Sequence, residues 1–180
     1  MGLDYSFVTV IQENQKSKLY DYIKHHGRLD RKDCSCLFFE MDSFILKYLE
    51  GGYDWRPHYD KTEIEKHLEP NGKASIGSIY LKERKLSSDE IEVSFTAATS
   101  DMSLLFKDSI SISRWFIGLS KEVNSIITYI DLEDEGVRIM FYKGSSVQLD
   151  IRGDNHLGYF RDNFLGMIQD FSQRYLHFEK

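Results

Sequence analysis

Apolar residues recur along this chain in two rhythms, and the changes of rhythm mark its elements. "DYSFVTVI" (Asp4–Ile11) gathers β-branched and aromatic residues in a short run and reads as a strand. In "ENQKSKLYDYIKHH", Leu19, Tyr22, Ile23 and His26 fall at helical spacing, which predicts a helix with Gly27 as its C-cap. "CLFFE" and "FILKYL" flank Met41–Ser43 and read as a hairpin. The segment 51–72 holds both prolines, Pro57 and Pro70, and a short helical piece, "TEIEKHL". It is the least regular part of the chain.

The second half alternates more clearly. "KASIGSIYLKE" and "EIEVSFTAA" read as strands joined across "RKLSSD", and "MSLLF" reads as a third. Ile112, Trp115, Phe116, Leu119 and Val123 form a helical stripe, with Ser109 or Ser111 as N-cap. "SIITYID" and "VRIMFY" flank "LEDEG", a hairpin signal that places Gly136 at a positive φ. Asp154 or Asn155 would cap a final helix whose stripe is Leu157, Phe160, Phe164, Met167, Ile168, Phe171 and Tyr175. Hairpins with helices between them predict an α+β fold. The sheet is expected to be mixed but mainly antiparallel, with helices packed on one face, in a single domain over residues 1–180.

Composition narrows the function classes. The 180 residues suffice for a real core, and 41% are hydrophobic, with 12 Phe, 11 Tyr and 2 Trp to bury or to use in binding. The net charge is -6; residues 1–90 carry 14 bases and 16 acids, residues 91–180 carry 9 and 13. Neither half offers the clustered positive charge that nucleic acid requires. The densest basic patch, "KHHGRLDRK", includes an acid and reads as a solvated helix end and loop. No apolar run approaches the roughly 20 residues of a membrane span, and no secretion signal is indicated. Two cysteines cannot build a disulfide framework, so a reducing cytoplasm is expected. "MGLDYS" fits the loose acylation pattern at Gly2, but the strand beginning at Asp4 is the preferred reading.

Several groupings invite chemistry and then fail on spacing. Cys34 and Cys36 form C-x-C without a second pair; His25 and His26 are adjacent on a helix and point about 100° apart. They read as structural thiols, and neither a metal nor a cofactor is expected. His58, Asp60, Glu63 and His67 could converge, but a charged surface helix explains the same letters. His156 and His177 stand apart from them in the chain. Asp131, Glu133, Asp134 and Glu135 are too tightly spaced for a calcium loop and read as solvated charges on a hairpin tip. "RGD" (Arg152–Asp154) is a chance tripeptide in which Asp154 serves as a cap. In "FTAATSDMS", Thr99, Ser100, Asp101 and Ser103 lack any nucleophile motif and suit a structural corner.

Three segments carry a resemblance. "MGLDYS", "SIGSIYL" (Ser75–Leu81) and "FTAATSDMSLLFKDSISISRWFIGL" resemble a family of uncharacterised bacterial cytosolic proteins. That family has MGLDYS-like starts and an FTAAT…MSLLF…SIS block. The resemblance covers most of the chain in order and is tight in those segments. It implies a shared single-domain fold and a bacterial origin, and no activity.

The leading functional expectation is therefore a non-enzymatic protein-binding module, of which an immunity-type role is one form. Its aromatic surface could meet another protein or close on itself as a homodimer. The alternative is a small-molecule-binding domain or an enzyme with few sequence signals. In that case "GGYDWRPHY" supplies the candidate binding residues Tyr53, Trp55, Arg56, His58 and Tyr59. Trp and Tyr give rigid contact area there, and Arg56 can hold a carboxylate or phosphate by two hydrogen bonds.

Overall fold

A computed structural model describes residues 2–51 and 60–152. Its strands are β1 (Ser6–Gln12), β2 (Gly27–Arg31), β3 (Cys34–Phe39), β4 (Ala74–Lys85), β5 (Glu90–Ala97), β6 (Ile127–Asp131), β7 (Gly136–Tyr142) and β8 (Ser145–Arg152). They form one sheet in the order β2-β3-β4-β5-β1-β6-β7-β8, and every neighbouring pair is antiparallel. The helices are α1 (Lys16–His25), α2 (Ser43–Leu49), α3 (Lys61–Glu65), α4 (Ser100–Asp108) and α5 (Ile110–Glu122). The expected α+β class, with its antiparallel sheet, is what the chain forms. No helix among the described residues is long and apolar enough to cross a membrane.

The main core lies between one face of the sheet and the helices. Phe7 of β1 stacks on Phe116 of α5 with ring centroids 4.0 Å apart, and Phe95 of β5 meets Phe116 edge-on at 5.0 Å. Trp115 packs against Phe116 at 4.9 Å and donates its indole N–H to the His26 carbonyl at 3.3 Å. Trp115 and Leu119 are buried as the helical stripe predicts, and Ser109 is the N-cap, accepting from the Ile112 N–H at 3.2 Å. Fully burying one such side chain stabilises by roughly 1.5–3 kcal/mol, so the several buried residues of this stripe contribute strongly to the docking of α5.

The hydroxyl-rich corner is structural. Thr99 caps α4 by accepting from the Met102 N–H at 3.2 Å. Ser100 accepts from the Leu3 N–H at 2.9 Å; Ser103 accepts from the Tyr5 N–H at 3.0 Å and donates to the Leu3 carbonyl at 2.8 Å. The corner therefore anchors the chain just before β1. The acidic hairpin turns as expected, with Gly136 at φ 109. Its tip is not wholly solvated, because Glu135 accepts from Lys107 and from the Tyr5 hydroxyl. Those two bonds hold the Glu135 carboxyl below its ordinary range, while burial and the same carboxylate push the Tyr5 phenol up.

Four local expectations are corrected. "FILKYL" is helix α2, since Ile45, Tyr48 and Leu49 are the buried positions and sit three and four apart. "MSLLF" lies in helix α4 for the same reason, through Met102, Leu105 and Phe106. "GRLDR" is an edge strand rather than a loop: backbone pairing with β3 overrides its polar composition. Gly27 is not a C-cap. His26 closes α1 by donating to the Tyr22 carbonyl at 2.9 Å, and Gly27 opens β2, where a Cβ would stand 2.7 Å from the Cys36 carbonyl oxygen. The expected final helix, with Asp154 or Asn155 as its cap, lies outside the described residues.

Candidate functional site

Tyr53, Trp55, Arg56, His58 and Tyr59 lie outside the described residues. The chain on either side of them borders a cavity of about 410 Å³, within the usual range for small-molecule sites. Tyr48 and Leu49, at the end of α2, line it from before that segment; Lys66, His67 and Glu69 line it from after. The sheet supplies the remaining wall through Arg28 and Asp30 of β2, Cys36 of β3, and Ser75, Ile76 and Gly77 of β4.

Local sequence explains why these groups meet. Arg28 and Asp30 are two apart on β2, and Arg28 is the register partner of Cys36. "EPNG" (Glu69–Gly72) makes a turn in which the Gly72 N–H donates to the Glu69 carbonyl at 2.9 Å, with Pro70 in the position that favours its fixed φ. The turn reverses the chain, so that Leu68 bridges to Ala74 and the Ser75 N–H reaches the His67 carbonyl at 2.7 Å. Glu69 is thereby placed over Ser75.

A polar chain crosses the cavity wall. Cys36 Sγ lies 3.6 Å from Ser75 Oγ, and Ser75 donates to Glu69 Oε1 at 2.7 Å. The same Oε1 accepts from Arg28 Nη1 at 3.4 Å, and Arg28 Nε reaches Asp30 Oδ1 at 3.3 Å. Burial pushes the Cys36 thiol up, against the opposing pull of Ser75 and Arg28. The thiol is thus protonated at neutral pH and a poor nucleophile. The Arg28 guanidinium is held charged, by the Cys36 sulfur first and then by Asp30 and Glu69. At neutral pH, with the thiol protonated, the two acids are the partners that count.

A second, smaller concavity of about 290 Å³ lies on the far face of the sheet, around Lys82, Arg84, Glu92 and Ser94. Arg84 and Glu92 pair there through two hydrogen bonds of 3.2 and 3.0 Å. Its wall is flat sheet surface, whereas the first cavity is walled by groups from β2, β3, β4, α2 and the turn after α3.

The residues of the cavity wall escape a linear reading. Arg28 looks like part of a solvated basic patch, Cys36 like an isolated thiol, and Ser75 like a strand residue. The Pro-Asn-Gly turn was the one available signal, since it predicts a chain reversal that sets Glu69 beside the start of β4. Among the described residues, no group of three or more His, Cys, Asp or Glu side chains could hold a metal ion. Cys34 and Cys36 are both buried free thiols. No protein-family model, curated protein or solved structure matches the chain.

Proposed function

We propose that this chain is a non-catalytic binding domain that takes a small polar molecule in the cavity walled by β2, β3, β4, α2 and the turn after α3. One observation carries the reading: five separate parts of the chain deliver charged, hydroxyl, thiol and apolar groups to a single hollow of ligand size. The protonated Cys36 thiol supports binding over nucleophilic catalysis. A bacterial, cytoplasmic setting is part of the proposal; it rests on the resemblance of the "MGLDYS" and "FTAATSDMSLLF" segments and on the two free thiols.

The test is a thermal-shift and NMR screen of the whole chain against carboxylic acids, amino acids, sugars and nucleotides. A ligand that binds the folded state raises the melting temperature in proportion to ln(1 + [L]/Kd). At least one class is expected to do so and to move the backbone resonances of Arg28, Glu69 and Ser75. Shifts confined to Lys82 and Arg84 would relocate the site to the far face. No response from any class would end the proposal.

A protein partner is the second reading, and one surface favours it. Met41, Leu46 and Ile110 are 37%, 39% and 58% exposed. They surround the joint where Asp42 accepts from Ser109 Oγ at 2.6 Å and from the Ser111 N–H at 3.0 Å. Apolar side chains left exposed around this hydrogen-bonded joint suit an interface, with an immunity-type partner or a second copy as its occupant.

A further inference from the structure

The cavity's chemistry narrows its occupant, and this step rests on the binding reading above. Arg28 uses Nε and Nη1 toward Asp30 and Glu69 at 3.3 and 3.4 Å, both longer than ordinary charge-assisted bonds. Its Nη2 donates to no described residue, and its guanidinium sits 5.7 Å from the Phe38 ring centroid. Glu69 concentrates its contacts on Oε1, which takes both Ser75 and Arg28; Oε2 accepts from no described residue. A free donor edge and a free acceptor oxygen therefore belong to two side chains already in contact on one cavity wall.

A simple anion would meet Arg28 but would also face Asp30 and Glu69. A simple cation would meet the acids but face Arg28 and Lys66. A molecule with both signs close together satisfies the two sides at once. We propose that the cavity recognises an amino-acid-like zwitterion, its carboxylate on the Arg28 Nη2 edge and its ammonium on Glu69 Oε2.

Calorimetric titration of the full chain with L-leucine, L-glutamate and L-lysine tests this, alongside the N-acetyl and carboxamide derivative of each. At least one free amino acid should bind. Both of its blocked forms should bind roughly tenfold or more weakly, the effect of losing one charge-assisted hydrogen bond. Arg28→Gln and Glu69→Gln should each weaken binding of the free amino acid to a similar degree. The comparison of free with blocked ligands uses the unaltered chain, so it stands even if a variant loses stability. Equal binding of the N-acetyl form, or binding by simple carboxylates alone, would overturn the zwitterion while leaving the cavity as a site. Silence from these compounds and from the wider screen would remove both.

Discussion

On the helix side of the sheet, Phe7, Phe95, Trp115 and Phe116 interlock as a buried cluster of rings. On the far side, a row of neighbouring residues runs Lys82, Ser94, Val8, Tyr129, Ile139 and Leu149 across β4, β5, β1, β6, β7 and β8. The next row runs Arg84, Glu92, Val10 and Ile127. The far face thus grades from charged at β4 to apolar at β8, while the helix face is apolar across the central strands. Val8, Val10, Ile127, Tyr129, Val137, Ile139 and Tyr142 form a second buried cluster there, separate from the helix-side core. Strands that are buried on both sides lose their alternation, which is why β1 is buried without a break from Phe7 to Ile11 while β5 keeps a strict in-out pattern.

The largest effects should come from cutting each cluster. Phe116→Ala should cost roughly 3–5 kcal/mol and Ile139→Ala roughly 2–5 kcal/mol by chemical denaturation, because both side chains are fully buried. A loss below half a kcal/mol for Ile139→Ala would show that the far-face cluster is not a core in the sense that the helix side is.

Asp42 should rank next. One carboxylate caps α2, accepting from the Ile45 N–H at 2.8 Å, and also ties α2 to the start of α5 through Ser109 and Ser111. Asp42→Ala should cost about 2 kcal/mol, a lost cap together with lost charge-assisted bonds. Burial raises the Asp42 carboxyl, but the bonds from Ser109, Ile45 and Ser111 outweigh it and hold it below its ordinary 3.8. A depressed folded value means that this stability is present above pH 3.8 and disappears as pH falls through the lower folded value. Acid titration of stability in the parent and in Asp42→Ala should converge at the acid end; parallel curves would contradict the linkage.

The smallest effect belongs to the charged end of the far face. Arg84 and Glu92 form a two-point pair, but the Arg84 side chain is 44% exposed. Arg84→Gln should change stability by about 1 kcal/mol or less, and added salt should shrink the difference further. A larger loss would mean that the charged end is held as firmly as the apolar one.

Much of the fold was legible because local patterns and tertiary burial agree. The stripe through Ile112, Trp115, Phe116 and Leu119, the pair of strands around "RKLSSD" and the "LEDEG" turn each carry one unambiguous period or turn residue. The misread segments are short. "FILKYL" and "MSLLF" hold too few residues to separate a period of two from one of 3.6. Their capping residues, Asp42 and Thr99, were the stronger evidence for helix.

By itself, the sequence determined the elements whose period is written into more than two turns or four alternations, together with the α+β class that their succession implies. Tertiary structure alone decided that "GRLDR" becomes an edge strand, since only pairing with β3 makes its polar residues extended. It alone decided that Arg28, Cys36, Glu69 and Ser75 share a wall. Those four come from segments with no common spacing, and the β2-β3-β4 ladder with the turn at Pro70 sets them within reach of one another. A linear pattern records which face of its own element a residue occupies; which other face it meets is fixed by the register between strands, and register is settled by the packing of the whole sheet.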